Sequence, residues 1–533
     1  MKNKTDPEKG DCSIIMKKYL YFSVFISGLT SLALEMAASR LLGNTFGTSN
    51  LVWASIIGLI LLYLAGGYFL GGYWADRSPH YKTFFLILIM AAATIAIVPI
   101  ISRPILKLAA NAFDELQLGV MFGSFTVVMI LFVIPVTLLG TASPFAIRLA
   151  ATDTRNLGRI SGRIYAVSTI GSFIGAFLPV LVLIPLIGTY KTFIVIAAVL
   201  GLVGLIGLWL TGSRKSALIG VVILAISTPV LMTAGFTGTD KSTPNLIYET
   251  ESAYNYIQVL EMDGFRYLRL NEGQGVHSVY HPDVFYYGGP WEQVLVAPFF
   301  NEAPVNPHKI ERMAIVGLAA GTTARQASRV YHNMVIDGYE IDPKIVEVGK
   351  RYFGMDLPNL NPIVQDGRWG LDHSPYKYEI ISIDAYRPPY IPSHLTTQEF
   401  FQIVYDHLTD DGVMAINIGR SPDDRRLIDS LATTIRTIFP TIHVIDIPDT
   451  FNTILYATVQ ETSQENLLSN YSHVKRMSSI DPLLTQIMEI TLASLQPDPP
   501  TTQVFTDDHA PIEWITNSMV LGYLVFGDVE SLE

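Results

Sequence analysis

Residues 313–353 have the sequence MAIVGLAAGTTARQASRVYHNMVIDGYEIDPKIVEVGKRYF. The first apolar run, 313–317, is typical of a strand in the middle of a parallel sheet. Small residues at 317–321 then favour a sharp turn that a ligand can approach closely. A helix is predicted from Thr322, and its free N–H groups and dipole favour an electron-rich ligand group nearby. A second strand, 335–339, ends on Glu340.

Carboxylates follow the predicted strands of this region. Glu340 comes about twenty residues after the turn, where an acidic side chain accepts hydrogen bonds from ribose hydroxyls. Asp366 follows the predicted strand 361–365, and Asp384 follows the apolar run 380–383. Glycine-rich turns also occur where a helix only packs closely on a strand, so the turn alone is a weak signal. Acidic residues at successive strand ends strengthen the prediction of an adenosine-bearing ligand, because open α/β sheets bind ligands there.

The segment 248–458 resembles the spermidine synthase family of aminopropyltransferases, which is related in fold to the S-adenosylmethionine-dependent methyltransferases. The matching motifs are 251–257 (ESAYNYI), the turn at Gly317, 339–342 (YEID), 366–368 (DGR) and 383–386 (IDAY). Segments 27–40, 64–71 and 135–144 are similar to the membrane-embedded, fused branch of that family.

The resemblance implies roles for individual residues. Glu340 would hold the ribose, Asp366 the adenine amino group, and Tyr254 with Asn255 the amino acid side of the donor. The donor site as a whole would comprise Tyr254, Asn255, Gly317, Ala319, Gly321, Glu340, Asp366, Gly367 and Asp384. The acceptor site would comprise Tyr287, Glu292, Tyr386 and Arg387, with Asp384 as the catalytic residue. The implied donor is decarboxylated S-adenosylmethionine or S-adenosylmethionine, with no metal.

Two family carboxylates are replaced in this chain. Ala320 stands where the family turn has an aspartate, and Arg387 stands where a second aspartate helps to deprotonate the amine. Arg387 reverses the local charge, which favours a ligand that carries a carboxylate, such as intact S-adenosylmethionine. Asp384, Glu292 and the cluster 507–509 (DDH) are candidates for a relocated base.

Composition indicates a membrane protein. Mean hydropathy is +0.35 and only 16% of the residues are charged. A net charge of −11 argues against nucleic-acid binding, and Cys12, the single cysteine, excludes a disulfide framework.

Apolar segments at 19–34, 49–73, 83–102, 119–140, 164–187, 190–211 and 216–236 are long enough to span a bilayer. Residues 16–38 could also form a signal peptide, but the family-like motif ending at Arg40 favours a retained helix. The basic residues place the N-terminal tail in the cytoplasm, and seven spans would then export the soluble domain. Because adenosyl-sulfonium donors are made in the cytoplasm, we favour a cytoplasmic soluble domain.

We therefore expect a multi-pass α-helical membrane domain followed by a Rossmann-like methyltransferase or spermidine synthase domain with a small β-rich N-terminal subdomain. The predicted boundaries are 1–16 for a polar tail, 17–237 for about seven transmembrane helices, 238–305 for the β-rich subdomain, 306–465 for the nucleoside-binding domain and 466–533 for a helical tail. Asp263-Gly264 predicts a hairpin within the β-rich subdomain.

The predicted function is a membrane-bound spermidine synthase-like aminopropyl transfer to a polyamine such as putrescine. A methyl or aminocarboxypropyl transferase is the alternative within enzymes. A sensor or transporter that binds polyamine or nucleoside without turnover is the alternative outside them. Expected partners are the amine acceptor, the lipid bilayer and a second copy in a homodimer.

Overall fold

The computed structural model describes residues 7–46, 50–116, 119–151, 156–212, 218, 220–222, 243–271, 275–386, 390–421, 424–477 and 479–526. The chain forms two compact units. The first comprises Met1–Thr243 with Thr250–Ala253, and the second comprises Pro244–Glu249 with Tyr254–Glu533.

The first unit is helical. Its helices are α1 (Pro7–Phe46), α2 (Asn50–Arg77), α3 (Tyr81–Leu116), α4 (Gly119–Gly140), α5 (Ala142–Ala150), α6 (Leu157–Leu178), α7 (Ile184–Ile187) and α8 (Thr189–Leu210), with a π-helical segment at Pro179–Leu183. Among the described residues, six segments are long and apolar enough to cross a membrane: Ile15–Gly43, Val52–Arg77, Tyr81–Ser102, Phe125–Ala150, Leu157–Ile187 and Thr189–Leu210. The seventh predicted span, 216–236, lies almost entirely outside the described residues.

Close packing of α1 on α6 depends on glycine. A Cβ atom at Gly171 would lie 2.1 Å from the carbonyl oxygen of Phe25, and one at Gly175 would lie 2.1 Å from that of Leu29. Any larger residue at either position would therefore push the two helices apart, because only small residues let helix backbones approach this closely.

The second unit begins with a four-stranded sheet. Its strands are β1 (Leu246–Glu251), β2 (Tyr256–Met262), β3 (Phe265–Leu270) and β4 (Val276–Tyr280), in the order β1-β2-β3-β4. Strands β2 and β3 pair antiparallel across the predicted hairpin, where Asp263 and Gly264 have φ of 52° and 83°. Positive φ at both central residues of the turn is what a tight hairpin needs, and Asp-Gly tolerates it.

A seven-stranded sheet follows in the same unit. Its strands are β5 (Arg312–Val316), β6 (Val335–Glu340), β7 (Leu360–Val364), β8 (Tyr378–Ile383), β9 (Leu408–Gly419), β10 (Thr441–Asp446) and β11 (Asn452–Thr458). The order is β10-β11-β9-β8-β5-β6-β7, with parallel pairing from β9 to β7 and β11 antiparallel to its neighbours. The chain proceeds from β5 to one side and later returns to the other, and ligands bind at such a switch point in open α/β sheets.

Helices cover both faces of this sheet. They are α9 (Pro290–Gln293), α10 (Thr322–Val330), α11 (Pro343–Tyr352), α12 (Gly367–Asp372), α13 (Gln398–Asp406), α14 (Arg426–Arg436), α15 (Gln464–Val474), α16 (Pro482–Ala493) and α17 (Ile512–Phe526). Alternate residues of β5 belong to different core clusters, with Met313 and Ile315 on one face and Ala314 and Val316 on the other. Burial of both faces explains why the central strands are continuously apolar. Helices α15 and α16 contribute to the first cluster and α17 contributes to the second.

Candidate active site

The turn after β5 depends on backbone conformations that side chains rarely adopt. Gly317 has φ of 93°, and a Cβ atom there would lie 2.5 Å from the carbonyl oxygen of Asp384. The N–H groups of Gly317 and Leu318 donate to the carbonyl oxygen of Tyr339 at 3.0 and 2.9 Å. Ala319 follows with φ of 48°. The turn is thereby held between the ends of β6 and β8, and residue 317 must be glycine.

Glu340 ends β6 beside this turn, as predicted from the sequence. Its Oε2 accepts the N–H of Ala319 and its Oε1 accepts the N–H of Asp342, both at 3.0 Å. Burial raises the pKa of Glu340 to about 7, although the backbone hydrogen bonds act in the opposite direction. Further donors, such as ribose hydroxyls, would stabilise the ionised carboxylate.

Ala320 and Gly321 point away from open space. Ala320 is 1% exposed, contacts the apolar cluster of Ile345 and Val348, and donates its N–H to Ser278 Oγ at 3.0 Å. Gly321 has φ of 82°, and a Cβ atom there would meet the Met355 side chain. The position where the family turn has an aspartate therefore lies in the core of this chain.

Asp366 caps α12, and both of its carboxylate oxygens are occupied. Oδ1 accepts the N–H groups of Arg368 and Trp369 at 3.1 and 3.0 Å, and Oδ2 lies 3.1 Å from His394 Nε2. At Gly367 a Cβ atom would lie 2.5 Å from Val316, so α12 begins directly against β5. An adenine amino group would have to share Oδ2 with His394 or displace it.

A cavity of about 420 Å³ opens beside the turn. Of the predicted site residues, it brings together Gly317, Ala319, Asp384, Tyr386 and Tyr287. Its other lining residues include His277, Trp291, Asn417, Thr450 and Asn452. The predicted residues that do not line it are Tyr254, Asn255, Glu292, Gly321, Glu340, Asp366 and Gly367.

Asp384 is the carboxylate of this cavity. Asn417, near the end of the neighbouring strand β9, donates from Nδ2 to Asp384 Oδ1 at 2.9 Å. Burial raises the pKa of Asp384 to about 6, while the bond from Asn417 acts to lower it. Tyr386, two residues on, accepts the N–H of Gly419 with its hydroxyl. The carboxylate is thus oriented, ionised at neutral pH and close to the partly buried phenol of Tyr386.

Glu292 holds the loop that carries the aromatic side chain of Tyr287. It is fully buried, and its Oε1 accepts the N–H groups of Tyr287, Gly288 and Gly289 at 3.1, 2.6 and 3.1 Å. Gln326 donates to its Oε2 at 3.0 Å. With these partners Glu292 fixes the 287–289 loop, which places Tyr287 in the cavity lining.

The remaining predicted residues lie elsewhere. Asn255 donates to Asp342 Oδ2 at 3.0 Å and accepts from Asn271 at 2.9 Å, and Tyr254 is 41% exposed. Asp507, a candidate base, pairs with Arg368 instead of lining the cavity. Arg387 lies outside the described residues.

Comparisons with known proteins identify the family to which the chain belongs. The sequence model described as "Spermine/spermidine synthase domain" matches residues 299–470. A "Probable polyamine aminopropyl transferase" of Bifidobacterium longum is 32% identical over 317 residues, which cover 56% of this chain and 68% of that protein. The chain belongs to the spermine/spermidine synthase family. The family resemblance predicted from the sequence is therefore confirmed.

Two further similarities lie within the same family. The "Polyamine aminopropyltransferase" of Vibrio vulnificus is 27% identical over 282 residues, covering 50% of this chain and 90% of that protein. The crystal structure of spermidine synthase from Thermotoga maritima is similar at 20% identity with a TM-score of 0.39, covering 48% of this chain and 84% of that one.

Some residues of this family member's cavity were not predicted from the sequence. Asn417 carries a usable signal, because it lies near the end of the strand next to β8, where side chains reach the switch point. His277, Thr450 and Asn452 carry no such signal, since they come from strands and loops far apart in sequence. Within the part of the chain that the structure describes, no group of three or more His, Cys, Asp or Glu side chains could hold a metal ion.

Proposed function

We propose that this chain is a membrane-bound aminopropyltransferase that uses decarboxylated S-adenosylmethionine and an amine acceptor such as putrescine. The names of the Bifidobacterium and Vibrio relatives support this class of reaction. The observation that carries the proposal is the position of Asp384, which lines the same cavity as Gly317 and Ala319 of the turn after β5. A carboxylate beside a nucleoside-binding turn suits a reaction between an adenosyl donor and a cation.

The reaction requires a neutral amine. Its nitrogen attacks the donor carbon next to the sulfonium, the C–N bond forms as the C–S bond breaks, and the thioether leaves with the bonding electron pair. An ordinary amine has a pKa near 10 and is protonated at neutral pH, so its proton must be removed. Asp384, whose pKa is raised to about 6, would bind the ammonium group while ionised and accept its proton.

The donor would extend from the turn toward α12. In this proposal Glu340 binds the ribose, Asp366 binds the adenine amino group, and the backbone at Gly317, Ala319, Gly321 and Gly367 lines the path between them. The buried carboxylate of Glu340, fixed by two backbone N–H groups, supports its part, because neutral donors such as ribose hydroxyls can complete its hydrogen bonds without adding a charge. Tyr254 and Asn255 would lie at the amino acid side of the donor.

The acceptor would occupy the opposite side of the cavity. Tyr287 and Trp291 present aromatic rings 6.5 Å apart between centroids, and such rings attract cationic amines. Tyr386 would complete this side, while Glu292 would act through the 287–289 loop. A polyamine such as putrescine fits this combination of aromatic rings and one carboxylate.

Intact S-adenosylmethionine is the alternative donor, with methyl or aminocarboxypropyl transfer as the reaction. The observation that favours it is Arg387 in the sequence, three residues after Asp384, where a guanidinium group could pair with the donor carboxylate. A protein that binds both ligands without turnover is the remaining outcome.

The long apolar helices of the first unit support a location of the protein in a membrane. We propose a multi-pass membrane protein with residues 17–237 as the membrane domain and the soluble domain in the cytoplasm, since adenosyl-sulfonium donors are made there. The polar tail 1–16, the β-rich subdomain 238–305, the nucleoside-binding domain 306–465 and the helical C-terminal segment 466–533 complete the proposed division. A homodimer is the proposed assembly.

The test is a direct comparison of donors. Protein purified in detergent is incubated with decarboxylated or intact S-adenosylmethionine, each with and without putrescine, and products are identified by mass spectrometry. We expect a new polyamine from the decarboxylated donor only. Asp384→Asn should lower kcat/KM at least about 100-fold, whereas Asp410→Asn, an exposed carboxylate at the other end of β9, should not.

Other products would lead to other conclusions. Methylated or aminocarboxypropylated putrescine from the intact donor would establish the alternative reaction. Binding of a donor without any product would contradict the enzyme assignment.

A further inference from the structure

Two side chains that line the cavity each hold a polar atom without a hydrogen-bond partner. Among the described residues, Asn417 Oδ1 and His277 Nε2 are shielded from solvent and make no hydrogen bond. Both residues line the cavity that contains Asp384. A buried polar atom without a partner is unfavourable, and native structures retain few of them. An unpaired acceptor at a binding cavity therefore suggests that a ligand supplies the donor.

The orientation of Asn417 follows from Asp384. Its Nδ2 donates to Asp384 Oδ1 at 2.9 Å, and an ionised carboxylate can only accept. The amide must therefore direct its nitrogen toward Asp384, which leaves Oδ1 as the unpaired acceptor. Because Asp384 also lines the cavity, its carboxylate and Asn417 Oδ1 together offer several acceptor positions.

The imidazole of His277 adds a neutral acceptor. Burial lowers the pKa of His277 to about 4, so the ring is uncharged at neutral pH. In the tautomer that carries its proton on Nδ1, the unpartnered Nε2 has a free lone pair and can accept a hydrogen bond from a ligand. The other titratable side chains of the described lining are Asp384, Tyr267, Tyr287 and Tyr386. None of them is a cation, so no positive charge in this lining opposes the entry of an ammonium group.

The position of His277 places it next to the turn. It lies on β4, whose next residue, Ser278, accepts the N–H of Ala320, and Val279 exchanges hydrogen bonds with Thr322 Oγ1. These bonds fix β4 against the turn after β5. His277 is therefore positioned beside the turn by the hydrogen bonds of the two residues that follow it on β4.

We propose that His277 and Asn417, together with Asp384, form a subsite for a primary amine. A primary ammonium group has three N–H donors, which matches one carboxylate and two unpaired acceptors. This inference rests on the proposed function. It makes the acceptor site more specific, because it assigns amine binding to one carboxylate and two neutral acceptors. A carboxylate ligand would find no charged partner in the described lining.

Amine binding can be measured without turnover. Detergent-purified protein is titrated calorimetrically with putrescine, both alone and in the presence of saturating 5′-methylthioadenosine, an adenosyl thioether. We expect His277→Ala and Asn417→Ala each to weaken putrescine binding about tenfold and to leave 5′-methylthioadenosine affinity within about twofold. His277→Gln should recover part of the affinity, because a glutamine side chain also offers an acceptor. His332→Ala and Asn361→Ala, two exposed positions outside the cavity, serve as matched controls.

A second ligand distinguishes the loss of a hydrogen bond from the loss of packing in the alanine variants. N,N,N′,N′-tetramethylputrescine keeps the charge of putrescine but has only one N–H donor at each end. Wild-type protein should prefer putrescine by at least about tenfold, and both alanine variants should lose most of that preference. A merely structural role would lower the affinity for both amines equally.

Two results would overturn the subsite. One is putrescine affinity that is the same in wild type and in both alanine variants, and the other is wild-type protein that binds 5′-methylthioadenosine but no amine. Failure of the proposed function would look different. In that case putrescine would bind to the wild-type protein and His277→Ala and Asn417→Ala would weaken that binding, but no polyamine product would form.

Discussion

The N–H of Ala319 donates to Glu340 Oε2 at 3.0 Å, so the turn after one strand is fixed by the carboxylate that ends the next. The same carboxylate receives the N–H of Asp342 through its other oxygen. Its pKa is nevertheless raised to about 7, because burial outweighs these bonds. Glu340 is therefore poised to change its ionisation when a ligand arrives.

Adenosyl ligands should bind more tightly as the pH rises from 6 to 8. Hydroxyl donors from a ribose favour the ionised form of Glu340, so binding at pH 6 must first remove a proton. We expect 5′-methylthioadenosine affinity to increase by up to about tenfold over this range, with proton release that calorimetry detects in buffers of different ionisation enthalpy. Glu340→Gln should remove the pH dependence, and Glu347→Gln, an exposed carboxylate on α11, should retain it. Affinity that is independent of pH in the wild type would refute this role.

The stability of the ligand-free protein should depend on pH in the opposite direction from its ligand affinity. An unfolded glutamate has a pKa near 4.3, so between about pH 4 and pH 7 the folded protein holds a proton on Glu340 that the unfolded chain has released. The contribution of Glu340 to the free energy of unfolding therefore falls as the pH rises through this window. Glu340→Gln should flatten that part of the stability curve, measured by thermal unfolding from pH 4.5 to 7.5.

Ala320→Asn should destabilise the second unit, whereas Ala319→Asn should not. Residue 320 is 1% exposed and contacts Ile345 and Val348, so an amide there would be buried without a partner. We expect a loss of more than about 2 kcal/mol in the free energy of unfolding. Ala319 lines the cavity with φ of 48°, a conformation that asparagine tolerates well. Thermal unfolding followed by tryptophan fluorescence compares them, and equal stability of the two variants would contradict the placement of residue 320.

Gly317→Ala should cost more than Gly264→Ala. Both glycines have positive φ, so each alanine pays the strain of a left-handed conformation, roughly 1 kcal/mol. At Gly317 the new Cβ atom also lies 2.5 Å from the carbonyl oxygen of Asp384, whereas at Gly264 the nearest atom is a His281 ring nitrogen at 3.3 Å. We expect Gly317→Ala to lower the melting temperature further and to abolish 5′-methylthioadenosine binding. Similar behaviour of the two variants would show that the backbone at 317 can move.

The sequence predicted the parts of the site that depend on local order along the chain. The run 313–317, the turn, Thr322 and Glu340 follow one another closely, and the structure has β5 at Arg312–Val316 and β6 at Val335–Glu340. The contact of Asn417 with Asp384 could not be predicted in the same way, because it requires β9 to lie beside β8.

The direction of a side chain within a tight turn is equally hard to predict. The family motif places an aspartate at position 320, but the left-handed Ala319 precedes an Ala320 whose methyl group enters an apolar cluster. Nothing in the composition of the turn distinguishes position 319, which lines the cavity, from position 320, which does not.

The pair of Arg368 and Asp507 should stabilise the donor side of the site. Arg368 follows Asp366 on α12, and its two terminal nitrogens contact the two carboxylate oxygens of Asp507 at 2.6 and 2.7 Å, while Thr397 donates to the same carboxylate at 2.7 Å. A double-mutant cycle with Arg368→Met and Asp507→Asn should give a coupling energy of about 1 kcal/mol, since Asp507 is 44% exposed and solvent screens the pair. The exposed pair of Lys344 and Glu347 should give less than about 0.5 kcal/mol.

The pH dependence of the coupling energy should follow the ionisation of Asp507. Arg368 lowers the pKa of Asp507, so the stabilisation is present above the ordinary pKa of an aspartate and is lost as the pH falls through the lowered value. Arg368→Met should also weaken 5′-methylthioadenosine binding, because the guanidinium of Arg368 donates to the carbonyl oxygen of His394 at 3.1 Å and the His394 ring lies 3.1 Å from Asp366 Oδ2. Two results together would mean that the C-terminal segment carrying Asp507 does not support the site. They are a coupling energy no larger than that of the Lys344–Glu347 pair at neutral pH, and unchanged 5′-methylthioadenosine affinity in Arg368→Met.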